Sequence, residues 1–330
     1  MTDVKSLRVH QINGAIESRI EQCADPDLAT DEVSIEVHYS SLNFKDALAV
    51  TGKGKILRRY PLVAGIDAAG VVTSSAVPEF TPGDKVVVVG GGIGEVRDGG
   101  YCEKLCVPAD LVVPLPDNLT LMESMIIGTA GFTAALAIDR MQMNGQAPEM
   151  GPILVTGASG GVGTLAINLF NHIGYEVVAL SGKSDQVEWL QELGASQVLD
   201  RAGIEFGNKP LEKAQWGGAV DNLGGEYLNW LCRSVKPWGN IAAVGLASST
   251  ELNTSVMPFI LRGVSLLGIN SVYPSQNMRH HIWNRLATDL KPPDLDSIHQ
   301  GSLKLEDIES KAQLMMSGQN KGRWTVRVAE

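Results

Sequence analysis

The stretch Ile153-Leu154-Val155-Thr156-Gly157-Ala158-Ser159-Gly160-Gly161-Val162-Gly163 decides the fold of this chain. A short, largely β-branched run ends in a cluster of glycines, and apolar residues then recur from Val162 to Ile173 at the spacing of a helix with one buried face. Gly174 ends that helix, and residues 176–180 (Glu-Val-Val-Ala-Leu), apolar from Val177 onwards, are typical of a second buried strand. The stretch therefore predicts a βαβ unit with a glycine turn at the helix N-terminus.

This glycine turn is suited to the pyrophosphate of a dinucleotide. Amide N–H groups in the first turn of a helix have no partner inside the helix, and glycines let an anion approach the backbone closely. A plain glycine-rich turn between core elements is the alternative. The agreement of strand, spacing, helix and following strand favours the dinucleotide.

The end of the second strand indicates which dinucleotide binds. NAD-binding proteins carry an acidic residue near this point, whereas this chain has Ser181-Gly182-Lys183-Ser184. Ser181 can donate a hydrogen bond to a 2′-phosphate, and Lys183 can donate a charge-assisted one. We therefore expect NADPH as the cofactor. Two alternatives stay open: Asp185 could take the acidic role, although the first turn of the next helix suits it better, and Lys183 could be a solvated loop lysine.

Composition sets the broad class of the protein. A chain of 330 residues can form two domains, and 44% hydrophobic residues, 19% charged residues and 36 glycines are typical of an α/β protein with many tight turns. The net charge of −10 disfavours a nucleic-acid surface, which needs clustered Lys and Arg. We expect small-molecule substrates and no nucleic-acid partner.

Neither a membrane span nor a disulfide framework is expected. The longest apolar run, 125–138, is interrupted by glycine and threonine and predicts a buried helix, and residues 1–5 lack an apolar signal core. We therefore expect a cytoplasmic protein without membrane contact. The four cysteines are too scattered for a disulfide framework, and Cys102 and Cys106 lack the second pair that a zinc knuckle needs.

Two kinds of pattern divide the chain. Short β segments separated by Pro and Gly predict a small β-barrel before residue 122; they are 34–37, 69–73, 85–89, 105–108 and 111–114. Alternating strands and helices follow, with four further strands at 197–199, 219–220, 241–244 and 264–268, which predicts a doubly wound parallel sheet. A helix at 306–317 and a strand at 324–328 are expected to form a tail that returns to the first domain.

Several segments together resemble the zinc-free quinone oxidoreductase group of the medium-chain dehydrogenase/reductase superfamily. They are residues 41–46 (Ser-Leu-Asn-Phe-Lys-Asp), 65–70 (Gly-Ile-Asp-Ala-Ala-Gly) and 156–163. Three more resemble the acryloyl-CoA reductase branch of that group, many of whose members are called quinone oxidoreductases: 51–55, 127–134 and 256–262. The similarity runs nearly end to end.

The resemblance implies an α/β fold with two domains and the active site in the cleft between them. Residues 1–121 and 290–330 are expected to form a GroES-like β-barrel catalytic domain, and 122–289 a Rossmann domain that binds NADPH. Zinc-dependent relatives place a Cys in the segment that matches 40–46 and a Gly-His-Glu where this chain has Gly65-Ile66-Asp67. Neither ligand is present, so we expect no metal. Without a metal we also expect no alcohol oxidation.

Reduction of an activated double bond does not require a metal. The carbonyl of an enone or a 2-enoyl thioester already withdraws electrons, so a hydride can add to the β-carbon when the two are held together. By resemblance, Phe44 packs on the nicotinamide, Asn43 orients a carbonyl or water, and Asp46 orders the loop or relays a proton. The family usually has Tyr at Phe44, so a hydroxyl donor there is excluded. Turn hydrogen bonds are the alternative role for Asn43 and Asp46.

Other cofactor contacts follow from matching positions. The pyrophosphate is expected at Ser159, Gly160, Gly161 and Val162. The 2′-phosphate is expected at Ser181, Gly182 and Lys183, with Arg201 on that phosphate or the adenine edge. Leu246, Ile260 and Ser271 are expected along the nicotinamide, with Asn320 from the tail. Ordinary core packing is the alternative for Leu246 and Ile260.

The densest basic run of this acidic chain follows the predicted active-site segment, residues 41–46. It contains Lys53, Lys55, Arg58 and Arg59, which would suit the phosphates of CoA, and solvated loop charge is the alternative.

The leading hypothesis is an NADPH-dependent, metal-free reductase of an α,β-unsaturated acyl-CoA, with acryloyl-CoA to propanoyl-CoA as the first candidate reaction. A reductase of quinones or small enones is the nearest rival, and a non-catalytic NADPH-binding redox sensor is a rival of another class. The apolar run 264–268 predicts an open sheet edge, so we also expect a homodimer.

Overall fold

A computed structural model describes residues 3–329, which form two compact units. The first unit contains the described residues up to Thr129, then Ser271–Ala287, and the residues from His299 onwards. The second contains Ala130–Asn270 and Thr288–Ile298. The helix that spans 276–287 therefore packs with the first unit, although the predicted bounds of the second domain, 122–289, include it. The division into a catalytic and a cofactor-binding domain stays a prediction.

The strands and helices are numbered in chain order. The strands are β1 (Asp3–Ile12), β2 (Ala15–Ala24), β3 (Glu32–Ser41), β4 (Leu62–Val63), β5 (Asp67–Ser75), β6 (Lys85–Val89), β7 (Lys104–Pro108), β8 (Val113–Pro114), β9 (Ile153–Thr156), β10 (Val177–Ser181), β11 (Gln197–Asp200), β12 (Trp216–Asp221), β13 (Val235–Ala243), β14 (Ser265–Gly268), β15 (His299–Leu303) and β16 (Arg323–Arg327). The helices are α1 (Phe44–Thr51), α2 (Leu121–Met143), α3 (Gly161–His172), α4 (Val187–Glu192), α5 (Gly225–Ser234), α6 (Met257–Arg262), α7 (Gln276–Ala287), α8 (Leu295–Ile298) and α9 (Ile308–Met316).

The first unit is built mainly from antiparallel strands. One sheet has the order β2-β1-β4, and the other has the order β15-β16-β3-β5-β6-β8, with β7 also paired to β3. The pairing of β16 with β3, which sets Thr325 opposite Ser41, confirms that the tail returns to the first unit. The β1–β2 hairpin was not predicted, although its turn is Asn13-Gly14 with positive φ at both residues.

The second unit contains one six-stranded sheet in which all the pairs are parallel. Its order is β11-β10-β9-β12-β13-β14, and all six predicted strands are present. The central strand β9 is buried along its whole length, with Val155 opposite Ala179 of β10 and Val220 of β12. In this order β9 and β12 are neighbours, and the strands that follow each of them continue towards opposite edges of the sheet. Doubly wound sheets bind ligands at such a point, beyond the carboxyl ends of the strands.

Helix α2 contains the apolar run 125–138. Among residues 3–329 it is the one helix whose length and composition would allow a membrane span, and 78% of its most apolar window is buried in the structure, as in the core helix of a globular protein. The helix is not continuous, because Gly128 has φ 49° and ψ −159° and introduces a kink. The kink lies against a buried polar cluster of the first unit.

Candidate active site

The glycine turn of the second unit has the geometry of an anion-binding loop. Gly157 has a φ of 59°, and α3 begins directly after Gly160. A Cβ on Gly163 would lie 2.4 Å from the carbonyl oxygen of Gly157, so the first turn of α3 tolerates no side chain at that position. The first amide N–H groups of a helix have no partner inside the helix, so those at the start of α3 can donate to a ligand phosphate. Ser159 is buried in this turn, and Gly160, Gly161 and Val162 are partly exposed.

The end of β10 brings the predicted phosphate-binding residues together. The hydroxyl of Ser181 accepts a hydrogen bond from the backbone N–H of Lys183, with an N–O distance of 3.2 Å. The guanidinium of Arg201 lies against Gly182, because a Cβ on that glycine would be 3.1 Å from Nε of Arg201. Burial lowers the pKa of Lys183, Arg201 lowers it further, and Asp185 opposes the shift. Two neighbouring cations, one of them half-buried, form a site that an added anion would stabilise.

Two of the predicted nicotinamide contacts have exposed side chains. Leu246 is 62% exposed and Ile260 is 73% exposed, so the alternative of core packing is wrong for both. Asp221, at the end of β12, is instead fully buried and accepts hydrogen bonds from the hydroxyl of Thr156 at 2.7 Å and the N–H of Gly224 at 2.7 Å. Asp221 therefore ties β9 to β12.

In the first unit, the start of α1 is fixed by a reciprocal cap. The carboxylate of Asp46 accepts hydrogen bonds from the N–H of Asn43 and the N–H of Ile66, both at 2.9 Å. The side-chain amide of Asn43 donates to Asp67 at 2.8 Å and to Asp46 at 3.1 Å, and its oxygen accepts from Arg323 at 2.9 Å. Both Asn43 and Asp46 are buried. The structure thus shows the turn hydrogen bonds that were the alternative reading, and catalytic roles for the two residues stay predictions.

Phe44 is the exposed member of this segment. It is the first residue of α1, directly after the buried Asn43, and its side chain is 44% exposed. Its backbone is held by the cap that Asn43 and Asp46 form, so an exposed ring projects from a rigid helix start. Such a ring can pack against a planar ligand.

A buried ion pair lies below this cap. Nη2 of Arg323 is 3.9 Å from Oδ2 of Asp67 and 2.9 Å from the hydroxyl of Ser41, and the hydroxyl of Ser41 donates to Asp67. Asp67 also accepts from the N–H of Thr129 at 3.0 Å and from its hydroxyl at 2.5 Å. We call Ser41, Asn43, Asp46, Asp67, Thr129 and Arg323 the buried polar cluster.

The kink in α2 is what admits this cluster. Nε of Arg323 donates to the carbonyl of Ile126 at 2.8 Å, which the interrupted helix leaves available. A Cβ on Gly128 would lie 2.6 Å from both Nη2 of Arg323 and Oδ2 of Asp67, so only glycine fits. Arg323 was not predicted, although an arginine directly before the predicted tail strand 324–328 was a usable signal.

Electrostatics within the cluster are dominated by burial. Burial raises the pKa of Asp46 to about 7, the charge of Asp67 adds to this shift, and the hydrogen bonds from Asn43 and Ile66 oppose it. Burial also raises the pKa of Tyr101, whose hydroxyl donates to the carbonyl of Ser41 at 3.0 Å. For Arg323, burial lowers the pKa, and Asp67 works in the opposite direction.

Two predicted site residues remain, Ser271 and Asn320, and both lie in the first unit outside the buried polar cluster. Ser271 is partly exposed, and its carbonyl oxygen would be 2.9 Å from a Cβ on Gly90. The side-chain amide of Asn320 donates to the carbonyl of Gly322 at 3.4 Å. Among residues 3–329, no three His, Cys, Asp or Glu side chains are grouped so that they could hold a metal ion.

Comparison with known proteins identifies the family. Residues 29–117 match the alcohol dehydrogenase GroES-like domain, and residues 161–288 match the zinc-binding dehydrogenase family. The chain is 44% identical to "Putative quinone oxidoreductase YhfP" of Bacillus subtilis, over 98% of each chain. The chain belongs to the medium-chain dehydrogenase/reductase superfamily. Its first unit therefore contains a GroES-like domain, and its parallel sheet is of the Rossmann type.

Further relatives narrow the comparison. "Probable acrylyl-CoA reductase AcuI" of Escherichia coli is 41% identical over 98% of this chain and 100% of its own. The structure of E. coli YhdH with bound NADPH has a TM-score of 0.94 at 41% identity, covering 98% of this chain and all of the other. That of Bacillus subtilis YhfP with bound NAD has a TM-score of 0.95 at 43% identity, covering 99% and 100%.

Removal of the buried guanidinium should destabilise the protein strongly. In Arg323→Met the carboxylate of Asp67 loses its countercharge, and we expect the free energy of unfolding to fall by about 3–5 kcal/mol. Arg323→Lys should recover part of this loss, because it restores the charge without the planar fork. Urea unfolding measures the effect, with Arg327→Met on the exposed side of β16 as the matched control. Equal stability of the two methionine variants would contradict the role of the ion pair.

The raised pKa of Asp46 predicts a pH dependence of stability. Between its ordinary value of 3.8 and about 7, the folded chain keeps a proton on Asp46 that the unfolded chain releases. This group therefore lowers the free energy of unfolding as the pH rises through that window, by up to about 4 kcal/mol. Asp46→Asn does not titrate, so its stability deficit relative to the native chain should narrow between pH 4.5 and 7.5. Urea denaturation at each pH measures the two free energies of unfolding. A difference between them that stays constant from pH 4.5 to 7.5 would refute the raised pKa of Asp46.

Proposed function

We propose that the protein is an NADPH-dependent oxidoreductase that reduces an activated carbon–carbon double bond, with acryloyl-CoA to propanoyl-CoA as the reaction. The observation that carries this proposal is the end-to-end similarity, at 41% identity, to a protein named as an acrylyl-CoA reductase. The phosphate-binding residues at the end of β10 and the exposed ring of Phe44 support it. The quinone oxidoreductase name of the Bacillus subtilis relative favours quinones or small enones as the second candidate.

The residues present fit a phosphorylated dinucleotide. Lys183 and Arg201 provide two adjacent cations, and the Ser181 hydroxyl beside them can donate to a 2′-phosphate. The first turn of α3 offers backbone N–H groups to the pyrophosphate. When bound, NADPH supplies a hydride from its nicotinamide ring. One relative was crystallised with NAD, so the preference of this chain for NADPH over NADH needs to be tested.

The reaction asks little of the protein besides positioning. The substrate carbonyl makes the β-carbon electron-poor, so the β-carbon accepts a hydride and the α-carbon accepts a proton, which gives the saturated thioester. Phe44 is proposed to hold the planar nicotinamide through its exposed ring. Asn43 is proposed to act by fixing Phe44 and the loop around it. Asp46, with a pKa of about 7, carries a proton for part of the time at neutral pH, which suits the proposed relay role.

A homodimer is proposed as the assembly. Strand β14 is an edge of the parallel sheet, and the same unit has exposed apolar side chains that are not assigned to the nicotinamide, at Trp238, Val256 and Leu261. Such a surface favours association with a second copy of the chain. Analytical ultracentrifugation decides between dimer and monomer.

Substitutions in the phosphate site should change the choice of cofactor. In Lys183→Ala with Arg201→Ala, the loss of charge-assisted hydrogen bonds should raise the KM for NADPH by about tenfold to a hundredfold. The KM for NADH should change little, because that cofactor lacks the 2′-phosphate. Lys213→Ala, an exposed lysine of the same unit, is the control. If the ratio of the two KM values stays as in the native enzyme, these residues do not bind the phosphate.

The substrate is tested with a panel. We expect purified protein to oxidise NADPH with acryloyl-CoA at a kcat/KM at least tenfold above that for crotonyl-CoA or benzoquinone. Turnover of benzoquinone alone would support the second candidate. Stoichiometric NADPH binding without oxidation by any of the three substrates would indicate a non-catalytic sensor and would overturn the proposed activity.

A further inference from the structure

The basic loop, defined by Lys53, Lys55, Arg58 and Arg59, is a local reversal of charge in an acidic protein. It lies between α1 and β4, and its four cations occur within seven residues in a chain whose net charge is −10. All four side chains are exposed. Arg59 is paired with Asp98 at 3.8 Å and donates to the carbonyl of Val96 at 3.2 Å. Within residues 3–329, the other three have no acidic group at ion-pair distance.

The backbone of the basic loop is held in place although its charges face solvent. The N–H of Arg58 donates to the carbonyl of Glu95 at 2.8 Å, and the N–H of Gly54 donates to the carbonyl of Leu48 at 3.3 Å. Leu57, between the cations, is buried in the core of the first unit. The backbone from which the cations project is therefore held by these hydrogen bonds and by the buried side chain of Leu57. A loop whose backbone is already ordered loses less entropy on binding an anion than a loose one.

Glu95 connects the basic loop to the start of α1. Glu95, whose carbonyl accepts from Arg58, pairs through its carboxylate with Lys45 at 2.9 Å. Lys45 directly follows Phe44, which is proposed to contact the nicotinamide. Glu95 thus contacts both the basic loop and the residue next to Phe44. The eight residues of α1 separate them along the chain by about 12 Å of helix.

We propose that Lys53, Lys55 and Arg58 bind the phosphate groups of the CoA part of the substrate. This inference rests on the proposed function and names the part of the protein that would select a CoA thioester over a quinone. A CoA thioester carries its phosphates at the far end of the flexible pantetheine arm, so they must bind away from the reacting carbon. Lys and Arg are the side chains that bind phosphate, and a quinone offers them nothing.

The test separates phosphate binding from catalysis. Isothermal titration with CoA and with 3′-dephospho-CoA measures affinity for the native chain, for Lys55→Glu with Arg58→Glu, and for Lys85→Glu as an exposed control on β6 of the same unit. The double variant should bind CoA about tenfold more weakly, and the control should bind as the native chain does. Raising the salt concentration from 0.05 M to 0.5 M should weaken CoA binding to the native chain more than to the double variant.

Kinetics supply the second readout. The ratio of kcat/KM for acryloyl-CoA to that for acryloyl-pantetheine, which has the same reacting group without phosphates, should fall about tenfold in the double variant. Equal CoA affinity of the native chain and the double variant overturns the assignment. Absence of NADPH oxidation with acryloyl-CoA in the native chain refutes the proposed function instead, and the CoA titration still decides whether the basic loop binds phosphate.

Discussion

The buried pair of Asp67 and Arg323 is the interaction on which the candidate site of the first unit depends. Neither side chain has appreciable contact with solvent, and burial of one charge without the other would cost several kcal/mol. The pair is satisfied because β16 brings Arg323 beside β3, and because the kink at Gly128 turns the N–H of Thr129 and the carbonyl of Ile126 towards it. One ion pair therefore joins β5, β16 and α2.

The consequence of this arrangement is a rigid start of α1. Asn43 is held by Asp46, Asp67 and Arg323, which leaves its neighbour Phe44 as the exposed group of the segment. In the second unit the glycine turn, Ser181, Lys183 and Arg201 are the donors that we propose for the phosphate groups of the cofactor. The proposed hydride transfer needs no further residue to activate the double bond, because the substrate carbonyl already polarises it.

Local patterns predicted much of the fold. The six parallel strands and α3 follow from apolar runs, helical spacing and glycine stops, which are properties of short stretches. The buried polar cluster could not be predicted, since Asp67 and Arg323 are far apart in sequence and their meeting depends on strand pairing. The kink at Gly128 has the same origin, as a glycine in an apolar run gives no indication that Arg323 will occupy its Cβ space. The return of the tail was expected, but not its buried charge.

The central claim is that hydride passes from NADPH to the β-carbon of an enoyl thioester. Incubation of the protein with acryloyl-CoA and NADPH deuterated at C4, followed by mass spectrometry and NMR of the product, tests this most directly. The account predicts propanoyl-CoA with a single deuterium at C3 and solvent hydrogen at C2. Propanoyl-CoA without deuterium at C3, whichever face of the cofactor carries the label, would contradict it.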